Sequence, residues 1–170
     1  MRDFFLKTDE LTMRTTTTHS LNNWYALQSD PDVIKYLGDG KSRDKQEIEK
    51  NLHKAINHFN QYNFSFFDVY KDDIFIGIAG LFHLEFNEVN KDIEIGYVLH
   101  KNFWGKGYAT ELAKKIIHYG LYEIKLKRLI ACCNINNIGS SKVMLKCGMT
   151  YSKKYKYKGL YDCHLYQIKL

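Results

Sequence analysis

The sequence predicts a mixed α/β (α+β) fold: a twisted, mostly antiparallel central sheet of about six or seven strands with one parallel pair, flanked by about four helices. Three observations predict it. The front half runs from a short strand through helices into two long aromatic and β-branched runs, an antiparallel meander. The back half runs strand, helix, strand, and strands joined through a helix in one sheet lie parallel. No repeat, low-complexity stretch or linker interrupts the 170 residues, so residues 1–170 are expected to form a single domain with a full core.

The elements follow in order. Glu10 to Arg14 is a short edge strand. In "HSLNNWYALQSDPDVIKYLG", Leu21, Trp24, Tyr25 and Leu27 fall at helical spacing, and "SDPD" restarts a short helical turn ending at Gly38. Pro31 is the sole proline, so other helix ends fall to glycine and asparagine. From Ser42 to Asn60, Ile48, Leu52, Ala55, Ile56 and Phe59 mark an amphipathic helix. "FSFFDVYKDDIFIGIAGLFHLE" is a hairpin turning at "KDD", and "IEIGYVLH", Ile93 to His100, is a further strand. A helix from about Lys106 carries Ala109, Leu112, Ala113, Ile116, Ile117 and Leu121 on one stripe. "LKRLIACCN" is a buried strand. "NNIGSSKVMLKCGM" is a short helix capped by Asn137, with Gly148 in a left-handed turn past its end. Strands near Tyr151–Lys156 and Cys163–Lys169 finish the chain.

Composition excludes several classes of function. No run of about 18 apolar residues exists, so no membrane span is expected, and "MRDFFLKTDELTMR" lacks the apolar core of a secretory signal. Cys132, Cys133, Cys147 and Cys163 show no CxxC spacing, and the seven histidines form no HxH or HExxH pattern. A reduced, cytoplasmic chain without a metal is expected. The net charge of +6 suits an anionic ligand, but the lysines are dispersed rather than clustered beside exposed aromatics, which argues against nucleic acid.

The most informative stretch is "NFWGKGYATE", Asn102 to Glu111, where Gly105 and Gly107 stand between a strand and a helix. The first turn of a helix offers N–H groups without internal partners at a partly positive end. Glycines there remove the β-carbons that would keep a phosphate away, and Lys106 either adds charge or points to water. The P-loop pattern GxxxxGK[ST] is absent. The dinucleotide pattern GxGxxG is half present, because Thr110 replaces the third glycine and the next strand ends in Asn134 rather than an acid.

This stretch resembles motif A of the GNAT N-acetyltransferase superfamily, [QR]xxGx[GA], with Asn102 replacing the usual glutamine or arginine. "EIGYVLHKNFWGKGYATEL", "NINNIGSSKVMLKCGM", "DPDVIKYL" and "FDVYKDDIFIGIAGL" together resemble its RimJ/RimL-like branch. The resemblance implies a GNAT fold whose parallel pair splays at the cofactor site. It implies acetyl-CoA as co-substrate, and an acceptor that is a primary amine on a protein N-terminus or a small molecule. It implies direct attack in a ternary complex, with Cys133, at a strand end, the alternative covalent carrier. A homodimer is compatible with it. By the same resemblance, Asn102, Phe103, Trp104, Gly105, Lys106, Gly107, Tyr108, Ala109 and Thr110 border the diphosphate. The backbone of Tyr97, Val98 and Leu99 pairs with pantetheine, and the Val98 amide faces the developing oxyanion.

Glu94 becomes the candidate general base, although a lone glutamate in a strand is ordinarily solvent-facing. The donor to the leaving thiolate is usually a tyrosine where this chain has Met144, so Ser140 or Ser141, in the NxxS pattern with Asn137, takes that role. Asn137 also reads as a plain helix cap, and Asn134 is a lesser contact of the same kind. Trp24, Tyr25 and Tyr36 fall where acceptor-covering helices are expected, with His83 and His164 beside the groove. Met144 keeps open an alternative, a non-catalytic acyl-CoA-binding or sensing module of the same fold.

Overall fold

The computed structural model describes residues 5–89 and 91–170. The element order is β1 (Phe5–Lys7), β2 (Thr12–Thr15), α1 (Leu21–Ser29), α2 (Pro31–Ile34), α3 (Lys45–Tyr62), β3 (Phe66–Lys71), β4 (Ile74–His83), β5 (Ile93–Leu99), α4 (Tyr108–His118), β6 (Arg128–Asn134), α5 (Ile138–Lys146), β7 (Thr150–Tyr157) and β8 (Tyr161–Lys169). One sheet of eight strands has the order β1-β2-β3-β4-β5-β6-β8-β7. The pair β5–β6 is parallel and all other pairs are antiparallel.

The fold class holds, with more elements than the pattern suggested: eight strands and, among the described residues, five α-helices. The extra strand is β1, only three residues long and too short to show alternation. It also displaces the first expected strand from the edge, because β2 pairs with β1 on one side and β3 on the other. α3 begins after Asp44, whose carboxylate accepts the Glu47 N–H at 2.8 Å, rather than at Ser42. α4 begins at Tyr108 rather than near Lys106, and beyond His118 it widens into a π-turn over Tyr119–Glu123 that keeps Leu121 buried. The hairpin turns at Asp72 and Asp73, both at positive φ, as a two-residue loop with right-handed strand twist requires.

Each face of the sheet is covered by the helices whose apolar stripes the sequence displays. On one face Leu112, Ala113, Ile116 and Ile117 of α4 and Met144 of α5 pack with Ile95, Leu99, Leu129 and Ala131. On the other, Trp24 and Leu27 of α1, Val33 of α2 and Ile48, Leu52, Ala55 and Ile56 of α3 pack with Ile78 and Val98. Cys133 joins the first core, while Cys132 packs in a smaller cluster with Leu84, Ile130 and Leu165, as alternation along β6 predicts. Among the described residues no helix is long and apolar enough to cross a membrane.

A buried carboxylate ties the helical layer to the sheet. Asp68 of β3, 2% exposed, accepts from Thr16 Oγ1 at 2.9 Å, from Trp24 Nε1 at 2.9 Å and from Ser20 Oγ. Burial raises its pKa, and the three donors oppose that rise. Asp68→Ala is expected to lower stability by about 3 kcal/mol, because three buried donors lose their acceptor. Urea unfolding checks this: the midpoint should fall while the slope stays constant.

Candidate functional site

The site arises where the sheet comes apart. β4 pairs with β5 along its length, from Gly77↔Leu99 to His83↔Ile93, but β5 registers with β6 only at Glu94↔Ile130. Beyond that point the two strands diverge. Backbone groups of Gly96 to Leu99 that would have met β6 face a cleft instead, and unpaired strand groups seek an extended partner.

A cavity of about 380 Å³ runs through this parting. Its lining includes Glu94, Tyr97 and Val98 of β5, Cys132, Cys133 and Asn134 of β6, and the Asn137 cap with Ser140 and Met144 of α5. The wall beyond comes from α1 to α3, with Trp24, Gln28, Tyr36 and Asn51. Side chains alternate across β5, so Tyr97 turns toward α5 and Glu94 toward the opposite face. A second cavity, of about 390 Å³, is lined by Arg14, His19, Ser20, Asp68 and Tyr70. Its principal charges are already engaged, Arg14 with Asp73 and Asp68 with three donors.

Glu94 is not solvent-facing, as a lone strand glutamate ordinarily is. It is 4% exposed, and Tyr157 Oη donates to its Oε2 at 3.1 Å. Burial pushes its pKa up to about 8, with the Tyr157 hydroxyl and backbone hydrogen bonds from Cys132 and Glu85 opposing. Nearby, Glu85 Oε1 accepts from Tyr155 Oη at 2.8 Å. Sequence reasoning missed these tyrosines, since they reach Glu94 and Glu85 from 63 and 70 residues away in the chain.

On the other side of β5, Tyr97 contributes more than backbone. Its hydroxyl lies 2.9 Å from Ser140 Oγ, and burial raises its pKa, keeping the phenol protonated. Asn137 caps α5 by accepting the Ser140 N–H at 3.1 Å, and it lines the cavity as well. The helix ends as expected in a left-handed Gly148, with the Met149 N–H on Met144 O and the Gly148 N–H on Leu145 O. Ser141 points elsewhere: its Oγ is 3.3 Å from Cys133 Sγ. Asn134 holds the connecting turn, accepting the Asn136 N–H at 2.9 Å.

The double-glycine loop forms one continuous donor surface. Lys101–Phe103 makes a 3-10 turn, and Trp104 Nε1 donates to Leu99 O at 2.8 Å. Gly105 and Gly107 take φ of 74° and 90°, and a β-carbon on either would meet nothing within 4 Å. The first α4 amides with partners are Thr110 and Glu111, both on Gly107 O at 3.0 Å. The N–H groups of Gly105, Lys106, Gly107, Tyr108 and Ala109 find no acceptor among the described residues. Lys106 neither reaches inward nor simply points to water: its Nζ lies 5.4 Å from the Phe103 ring centroid. Asn102 is exposed on the turn, whereas Phe103 packs against the core.

Of the aromatic candidates, Trp24 and Tyr36 line the cavity, and Tyr25 does not. His83 lies outside it, with its Nδ1 2.8 Å from His58 Nε2, and His164 packs against the Tyr151 ring. Among the described residues no cluster of histidine, cysteine and acidic side chains has the geometry to hold a metal.

Comparison with known proteins agrees with this geometry. A family model described as an acetyltransferase (GNAT) domain matches residues 10–150. The uncharacterised N-acetyltransferase YnaD of Bacillus subtilis is 36% identical over 127 residues, 74% of this chain and 70% of YnaD. A crystal structure of a GNAT-family acetyltransferase from Bacillus anthracis superposes with a TM-score of 0.79 at 27% identity, covering 98% of each chain. The fold is also that of RimL, a ribosomal L7/L12 alpha-N-protein acetyltransferase solved with coenzyme A (TM-score 0.83, 16% identity, 98% of each chain).

Asn137→Ala is expected to cost about 1 kcal/mol of stability, and Asn137→Ser much less, because serine also caps a helix. Thermal unfolding of the two variants side by side checks the capping role.

Proposed function

The chain belongs to the GNAT acetyltransferase family, and on that premise we propose that it transfers acetyl from acetyl-CoA to a primary amine by direct attack in a ternary complex. One observation carries the reading: a single cavity, opened by the parting of β5 from β6, is lined from one side by Ser140 and from the other by the buried carboxyl of Glu94. A donor and a base thus share one space across a strand.

The residues present fit acetyl-CoA. The unclaimed amides of Gly105 to Ala109, at the positive end of α4, suit a diphosphate, and the open space at both glycines lets it approach. The cleft-side backbone of Tyr97 and the Leu99 N–H, left without a β6 partner, suit the amide-bearing pantetheine arm, and Asn137 borders the same channel. The thioester supplies an activated acyl group, and the rest falls to this chain. Glu94 takes the proton of the incoming amine. The strand register turns the Val98 N–H toward Ile78 of β4, contrary to its expected role, so the amides of Tyr97 and Leu99 on the cleft side are the ones available to the negative charge that develops on the acyl oxygen. Ser140 Oγ donates to the departing sulfur, and the Tyr97 hydroxyl positions it. This pair provides the donor that buried Met144 lacks. Cys133 is no covalent carrier: burial raises its pKa and its thiol is engaged with Ser141.

A carboxyl held near 8 also suits a particular kind of amine. It exchanges a proton almost evenly with an α-amine of pKa about 8, whereas a lysine-type amine of about 10.4 keeps its proton. An α-amine is the better-matched acceptor.

Two measurements test the reading. Glu94 acts unprotonated, so kcat/KM for thiol release, expressed per unprotonated amine, should rise with pH and level above about 8. Glu94→Gln should lower kcat/KM about 10²-fold or more and abolish that bend; an unchanged profile would remove Glu94 as the base. Separately, Gly107→Ala forces a side chain into a left-handed conformation at a cost of about 1–2 kcal/mol, and should weaken coenzyme A binding by about tenfold or more in calorimetry. No heat from the wild-type protein with millimolar coenzyme A would overturn the proposal.

A further inference from the structure

The acceptor end of the cavity has two unlike walls. On the sheet side stand the carboxyls, Glu94 and Glu85, both already taking hydrogen bonds from tyrosine hydroxyls. On the helical side stand Gln28 of α1, Arg43 just before α3, and Asn51 and Lys54 of α3. These helical groups are largely unclaimed. Gln28 is 8% exposed, yet its amide makes no hydrogen bond with any described residue. Asn51 makes none either, and Lys54 forms no ion pair among the described residues. Arg43 gives only its Nε, to Glu47 at 2.9 Å. Its Nη2 stands 3.0 Å from where a β-carbon on Gly38 would lie, and it has no acceptor.

Among the described residues Ser65 Oγ is the only fully buried side-chain polar atom without a partner, so the Gln28 amide opens onto the cavity, where a ligand can take up its bonds. Here the missing partners are mostly acceptors, because Arg43 and Lys54 donate only and both amides donate as well. Glu94 is largely protonated at pH 7, so the charge lining the cavity is net positive: Arg43, Lys54 and Lys158 against Glu85. A small cationic amine is drawn to one carboxyl on the sheet wall, while a second positive charge would meet Arg43 and Lys54.

Resting on the acyl-transfer reading above, we propose that the acceptor is a primary amine carrying an anionic group, carboxylate or phosphate, close to its nitrogen. The amine lies against Glu94. The anion lies against Arg43 and Lys54, and Gln28 and Asn51 hydrogen-bond the atoms between. Oligocations such as polyamines are excluded by the same two charges.

The test compares acceptors that differ only in that anion. Thiol release is followed at saturating acetyl-CoA with phenylalanine against phenethylamine, and with phosphoethanolamine against ethanolamine, each rate expressed per unprotonated amine. Spermidine serves as the oligocation. The expected result is a preference of about tenfold or more for the anionic member of at least one pair, expressed mainly in KM, with spermidine below both. The pair that shows it separates carboxylate from phosphate recognition. In the double variant Arg43→Met, Lys54→Met the preference should fall to near parity. Should that variant fail to fold, the wild-type preference should still shrink as ionic strength rises. Equal rates within both pairs, or spermidine as the best substrate, would overturn the inference while leaving acyl transfer standing. Coenzyme A binding without thiol release from any amine would overturn both.

Discussion

Everything functional in this protein depends on one interrupted pairing. β5 and β6 meet only at Glu94↔Ile130, and past that point the sheet has an opening in its middle. A parallel pair forms without a tight turn because α4 carries the crossover. That same helix starts at the mouth of the opening, where its first amides are free. Ladder hydrogen bonds are given up along part of two central strands, and the parting opens the cavity between them. The divergence also lets side chains from both faces of β5 border one space, so Tyr97 and Glu94, three residues apart on opposite faces of the strand, line a single cavity.

Two buried carboxyls on this sheet show how surroundings divide structural from chemical roles. Asp68 has three donors aimed at it and secures α1 against β3. Glu94 has one phenol and two backbone donors, and it borders the cavity where an amine can arrive. Burial raises both pKa values. A carboxylate saturated with donors has little left to offer a ligand, whereas one held near 8 is poised to exchange a proton at neutral pH. Securing α1 also fixes Trp24 and Gln28, so Asp68 holds the far wall of the cavity that Glu94 lines.

Much of this was legible in the chain. The helical stripes of α3 and α4, the strands flanking "KDD", the Asn137 cap and the left-handed Gly148 each follow from short-range rules of spacing and backbone sterics. Boundaries shifted where a side chain out-competed the pattern. Asp44 rather than Ser42 caps α3, and the left-handed Gly107 postpones the start of α4 to Tyr108. β1 escaped because three residues carry no period. The tyrosines on Glu94 and Glu85 and the Tyr97–Ser140 contact escaped because nothing in a local window records which strands meet.

The sequence by itself determined the glycine loop, the helix and strand periods and the order of elements, because each rests on interactions within a few residues. It therefore also determined that the first amides of α4 are left without acceptors among the described residues. The tertiary structure alone decided that β5 leaves β6 after one paired position, that Glu94 is buried rather than wet, and that Ser140 rather than Ser141 faces the cavity. Burial and charge environment are sums over the whole surrounding packing, and a pKa near 8 on Glu94 exists only once strands distant in the chain have closed around it.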